Sequence, residues 1–171
     1  MCLSYIGGKS RIAPKLIIPN IPTDIEEFVE VFGGMFWTFF SMDLKQFSNL
    51  KKVVYNDFNP LNYNLFKCIQ NPTELLGAIN SIDCQKFGVE ITPSIYKEQF
   101  ISFQAEIFAP NVTLQPYDYE VAAKYAYVLT QVFSGSKPET SSFIDLKGKY
   151  RSKYLSFRDK LSKPDWVEHF L

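Results

Sequence analysis

The chain has 171 residues, with 18 basic and 18 acidic side chains and one histidine, so its formal net charge is zero. That length suits one domain, or one domain with a small insertion, and 16 Phe, 10 Tyr and 2 Trp exclude disorder as the main state. Zero net charge argues against nucleic-acid binding by bulk charge, so any DNA contact has to come from a local patch.

The segment from Met1 to Tyr5 lacks the basic start and apolar run of a signal peptide. The longest apolar stretch, near Phe36 to Met42, falls far short of the roughly 18 residues of a membrane span. The expected setting is cytoplasmic, with no membrane partner. Next comes Tyr5-Ile6-Gly7-Gly8-Lys9-Ser10. Gly8-Lys9-Ser10 imitates the end of a phosphate-binding loop, but that motif needs a glycine where Leu3 stands, so a nucleotide triphosphatase is excluded. What remains is a paired-glycine turn leading into a helix with Ile12, Leu16 and Ile17. Such a turn presents backbone N–H groups and one lysine to an anion.

Phe28 to Phe32 and Val53 to Tyr55 are β-branched and aromatic runs that read as buried parallel strands. The first ends in Gly33-Gly34 and the second in Asn56-Asp57. A helix from Met35 to about Phe47 is expected between them. Pro60 opens another helix, with Leu61, Leu65, Phe66 and Ile69 on one face. Strand, helix, strand, helix implies a βαβ unit in an α/β fold. From Pro72 to Val132 the pattern is helical: one helix from Pro72, one from Pro93 to about Phe108, and one from Asp118 to Phe133, with residues 111–116 as a loop.

Ser134 to Pro138 reads as a loop of small polar residues, and it opens the most basic stretch of the chain. Lys137, Lys147, Lys149, Arg151, Lys153, Arg158, Lys160 and Lys163 are opposed only by Glu139, Asp145 and Asp159. The stretch is either a solvated helix face or a phosphate-contacting patch. Cys2, Cys68 and Cys84 form no CxxC pair and His169 stands alone, so reduced thiols and no metal site are expected.

Two spacings carry chemistry. A strand ending in Gly33-Gly34 lets a ligand approach the backbone without meeting a Cβ, the arrangement of a nucleotide-type site at the carboxyl end of a parallel sheet. Asp57 lies 23 positions after Gly34, at the distance where an acid takes hydrogen bonds from ribose hydroxyls. The plainer readings are a glycine turn and a helix cap near Asn59-Pro60. The spacing suits NAD as well as S-adenosyl-L-methionine.

Taken in order, Tyr5-Ile6-Gly7-Gly8-Lys9, Phe28-Val29-Glu30-Val31-Phe32-Gly33-Gly34 and Tyr55-Asn56-Asp57-Phe58-Asn59 resemble the Dam-type adenine-N6 DNA methyltransferases, phage-encoded members most closely. Phe133-Ser134-Gly135 is similar to a segment of that family's target-recognition region. The resemblance implies a Rossmann-like, S-adenosyl-L-methionine-dependent methyltransferase fold with a partial sheet and a mainly helical inserted DNA-recognition domain. It implies methyl transfer to N6 of adenine flipped out of double-stranded DNA. Tyr5, Gly7, Gly8 and Lys9 would then lie at the methionine end of the cofactor, with Glu30, Phe32, Gly33 and Gly34 as the loop beside it. Asp57 would hold the ribose and Phe58 would pack on the adenine. Ser134, Gly135, Lys137, Lys147, Lys149 and Arg151 would contact DNA. The implied organisation is residues 1–71 for the cofactor half, 72–163 for recognition and 164–171 for the return to the first domain, as a monomer or weak dimer.

Two departures from the family pattern stand out. Phe36 occupies the place of a further glycine, two positions after Gly34. The family's catalytic Asp-Pro-Pro-Tyr occurs nowhere in the 171 residues. The chain is expected to stop short of that motif and to be inactive by itself. The alternative expectation is a non-catalytic DNA- or cofactor-binding relic.

Overall fold

The computed structural model describes residues 3, 8–82, 93–110, 114–115, 117–132, 137–144 and 152–163. After the turn at Lys9, the chain forms a π-helical turn, Ala13–Ile17, and a 3-10 turn, Ile18–Asn20. The amphipathic helix expected here does not form: Leu16 is 66% exposed and only Ala13 is buried. Pro14 and Pro19 explain this, because each removes a backbone donor from a regular α-helical ladder.

Strands β1 (Glu27–Glu30) and β2 (Lys52–Tyr55) pair in parallel, with Glu27 opposite Lys52 and Glu30 opposite Tyr55. The parallel pairing agrees with the sequence, but burial does not. Phe28, Val53 and Tyr55 pack against the core while Val29 and Val31 stand about half exposed. Among the described residues the sheet has two strands, so β1 is covered on one face only. Between the strands, α1 spans only Trp37–Phe40. The longer helix expected here is cut at both ends. Gly34 and Phe36 take left-handed backbone angles before it. After it, Ser41 Oγ donates to the Trp37 carbonyl at 2.7 Å, and Asp43 accepts from the Lys45 N–H at 3.2 Å. Short polar side chains thus offer the backbone local alternatives to a helix.

The helical expectations hold closely. They are α2 (Pro60–Ile69), α3 (Pro72–Ile82), α4 (Pro93–Ile107) and α5 (Tyr119–Gln131), followed by α6 (Ser152–Leu161). Asn59 caps α2 by accepting from the Leu61 N–H at 2.9 Å, and Asp118 caps α5 by accepting from the Val121 N–H at 3.0 Å. Helix α5 is the centre of the core and packs against α2, α3, α4 and α6. Every residue from Tyr125 to Val132 is buried. Where that core meets α2 it is stitched by polar groups. The Asn64 side chain donates to the Asp118 carbonyl at 2.8 Å and accepts from the Asp118 N–H at 3.0 Å, and Tyr125 Oη donates to Asn62 Oδ1 at 2.8 Å. Each buried polar atom in these pairs is satisfied, as burial requires. Lys124 bridges α5 to α4 by pairing with Glu106 at 2.5 Å.

Candidate cofactor site at the carboxyl end of the sheet

The site is built where β1 and β2 stop. The Asn56 N–H donates to the Glu30 carbonyl at 3.0 Å, and the Gly33 N–H donates to the Asn56 carbonyl at 2.8 Å. Asn56 Nδ2 donates to the Val31 carbonyl at 2.7 Å. These bonds fold the end of β1 over the end of β2, which is why β1 stops at Glu30 and not at Phe32. A Cβ on Gly33 would collide with the Tyr55 ring, lying 2.6 Å from Cδ2 and closer still to Cε2. The neighbouring ring therefore demands glycine here, before any ligand is considered. Gly34 has φ 50°, the left-handed region that favours glycine.

Asp57 closes the loop. Its Oδ2 accepts from the Gly34 N–H at 2.6 Å, while Oδ1 accepts from the Asn59 N–H at 2.8 Å and from Asn62 Nδ2 at 3.1 Å. Asn59 is the helix cap, and Asp57 holds the glycine loop against the start of α2. Glu30 lies just beneath. Its Oε1 accepts from Thr38 Oγ1 at 2.9 Å. Burial raises its pKa above the ordinary carboxylate value, against the opposing effects of the Thr38 bond and the Lys9 charge. Glu30 Oε2 is buried with no hydrogen-bond partner among the described residues. Gly8 and Lys9 are exposed. Tyr5 and Gly7 lie outside the described residues.

Phe36 takes φ 56° and is only 6% exposed. The backbone there has the left-handed conformation that glycine adopts most readily. Ring packing compensates: Phe36 meets Phe39 at 4.8 Å, Tyr55 at 5.0 Å, Phe40 at 5.6 Å and Phe66 at 6.0 Å between centroids. A left-handed bulky residue costs of order 1–3 kcal/mol, which the aromatic cluster offsets. In contrast, Phe32 is 85% and Phe58 98% exposed, so both rings stand in solvent beside the loop.

Of the residues expected to meet DNA, only Lys137 is described. It is exposed, and its carbonyl accepts from the Ser141 N–H at 3.0 Å and Ser141 Oγ at 2.6 Å. Gln104 of α4 tethers this turn by donating to the Pro138 carbonyl at 2.6 Å and the Ser141 carbonyl at 2.9 Å. Ser134, Gly135, Lys147, Lys149 and Arg151 lie outside the described residues. Helix α6 buries Tyr154, Phe157 and Leu161 and leaves Arg158 and Lys160 toward its rim. Sequence reasoning missed the supporting roles of Thr38, Tyr55 and Asn62. The available signal was Asn62, a polar residue set among Leu61, Leu65, Phe66 and Ile69 on the buried side of α2. Among the described residues no cluster of His, Cys, Asp and Glu could hold a metal, and no helix is long and apolar enough to cross a membrane.

Residues 5–135 match the family model described as D12 class N6 adenine-specific DNA methyltransferase. The chain belongs to that family. The motif-based resemblance to adenine-N6 DNA methyltransferases is therefore borne out, and the family's reaction is methyl transfer to adenine in DNA. No curated protein and no solved structure matches the chain significantly. The D12-class match takes in both strands and α1 to α5, and it ends before α6.

Proposed function

We propose that this D12-class chain binds S-adenosyl-L-methionine at the carboxyl end of β1 and β2 and engages double-stranded DNA through residues 72–163. The observation that carries the cofactor reading is the Gly34–Asp57 hydrogen bond, at 2.6 Å, within a chain of this family. It supports a glycine loop and an acid acting on one ligand. The residues fit the cofactor in three respects. A carboxylate offers about four acceptor positions, and Asp57 uses three among the described residues, which leaves room for a ribose hydroxyl. Glu30 Oε2 is buried and unpartnered among the described residues, which suits a cationic group at the methionine end beside Tyr5 and Lys9. Phe58 offers a free ring face to the adenine. When bound, the cofactor supplies an electrophilic methyl group. The chain's own residues bind and orient it.

Under this reading residues 1–71 form the Rossmann-like cofactor half, with Gly33, Gly34 and Phe32 as its loop. Residues 72–163 form the recognition half, packed directly on α2, with Ser134, Gly135, Lys137, Lys147, Lys149 and Arg151 toward DNA phosphates. Residues 164–171 lead back to the first half. The 171 residues contain no Asp-Pro-Pro-Tyr, so they lack the carboxylate and carbonyl that polarise the target amine. By themselves they are expected to bind without transferring methyl. Incorporation of labelled methyl into DNA by the 171-residue protein would overturn this. The second reading is a non-catalytic DNA- or cofactor-binding relic. Sequencing the gene beyond Leu171 separates the two: a downstream Asp-Pro-Pro-Tyr supports the enzyme, and its absence supports the relic.

A further inference from the structure

We propose that Tyr55 is a positioning residue that keeps the glycine loop in its ligand-binding shape while Asp57 changes partners. The argument rests on the cofactor reading above. Gly34 is held at both of its flanking peptides. Its N–H donates to Asp57 Oδ2 at 2.6 Å, and its carbonyl accepts from Tyr55 Oη at 2.8 Å. Together the two bonds fix φ and ψ of a residue in the left-handed region. Among the described residues Asp57 has about one acceptor position left, whereas a ribose presents two vicinal hydroxyls. Gripping both requires Asp57 to give up a bond within the chain. The Gly34 N–H is the partner that a ligand can replace, because the bonds to Asn59 and Asn62 anchor the carboxylate to α2. Once that bond is released, the Tyr55 hydroxyl is, among the described residues, the side-chain tether left on Gly34.

Tyr55 is equipped for the task. Its ring is locked against Phe36 at 5.0 Å and Phe66 at 4.6 Å, and it fills the space a Cβ on Gly33 would need. The hydroxyl therefore presents a rigid donor to the loop. A preorganised loop costs less to order on binding.

The test is Tyr55→Phe, which removes one hydroxyl and keeps the ring. Titration calorimetry with S-adenosyl-L-methionine, thermal melting, and amide exchange at Gly34 and Met35 are read together on the full chain. The expected result is a rise in Kd of about three- to ten-fold, the worth of one hydrogen bond. Exchange at the loop is faster, and the melting temperature stays close to the parent's. An unchanged Kd in a variant whose parent binds overturns the proposal and leaves the cofactor reading intact. A lower melting temperature with an unchanged Kd also overturns it, since that marks a purely structural hydroxyl. If the parent itself binds no S-adenosyl-L-methionine, the cofactor reading falls. Loop exchange then judges Tyr55 alone: faster exchange supports the tether and an unchanged rate overturns it.

Discussion

Helix α5 and the carboxyl end of the sheet lie on either side of α2 and treat their side chains in opposite ways. On α5, Tyr125, Ala126, Val128 and Leu129 are completely buried, and the polar groups at its contact with α2 are paired. At the end of the sheet, Phe32 and Phe58 are exposed, two backbone angles are left-handed at Gly34 and Phe36, and a Glu30 oxygen has no partner among the described residues. The first region spends its sequence on packing. A left-handed angle also occurs at Tyr117, just before α5, so the exposed rings and the unmet polar capacity are what set the second region apart, and such features concentrate where a protein meets a ligand. Asn62 joins the two: its Nδ2 donates to Asp57 and its Oδ1 accepts from Tyr125.

The largest effect should come from breaking the packed side. Leu129→Ala is expected to lower the unfolding free energy by about 2–5 kcal/mol, measured in urea, with the cofactor Kd of the folded protein unchanged. A parallel loss of affinity would erase the distinction between the regions. Next is the joint. Asn62→Ala removes the acceptor that Tyr125 Oη uses on α2 and frees one side of Asp57, so about 1–3 kcal/mol of stability and cofactor affinity should fall together. A change in only one of them would mean that Asn62 serves one region and is no joint.

A smaller effect is expected at Glu30, and its sign follows from burial. Its folded pKa is raised above the ordinary value, so its contribution to stability is present below that value and is lost as pH rises through the raised one. Glu30→Gln should therefore melt higher than the parent at pH 7, and the gap should close as pH falls below the carboxylate range. A gap that widens on acidification would contradict the burial argument. The smallest effect is chemical. Burial pushes the Cys68 thiol up to about 12, with Asp118 adding to the shift, so peptide mapping at pH 8 should find Cys68 unmodified by a thiol reagent in the folded chain.

The packed side was legible in the sequence because its signals are local. Pro60, Pro72 and Pro93 each open a helix, Asp118 caps one, and the apolar spacing of Leu61, Leu65 and Ile69 marks a buried face. The convergence of Glu30, Gly33, Gly34 and Asp57 at the end of the sheet was legible too. What escaped depends on contacts distant in sequence. The left-handed angle at Phe36 is held by rings from α1, β2 and α2, and no local propensity announces that. The same angle, with Gly34, shortens α1 to Trp37–Phe40. The exposure of Val29 followed from a sheet face left uncovered among the described residues, which periodicity within one strand cannot reveal.

The most direct test of the central claim is a calorimetric titration of the parent chain and of Asp57→Ala with S-adenosyl-L-methionine, followed by NAD. The account predicts saturable binding of S-adenosyl-L-methionine by the parent, at least about ten-fold weaker binding by Asp57→Ala given the loss of charged hydrogen bonds, and no comparable response to NAD. An unchanged dissociation constant in Asp57→Ala would remove Asp57 from the site, and tight NAD binding with no response to S-adenosyl-L-methionine would contradict the cofactor assignment itself.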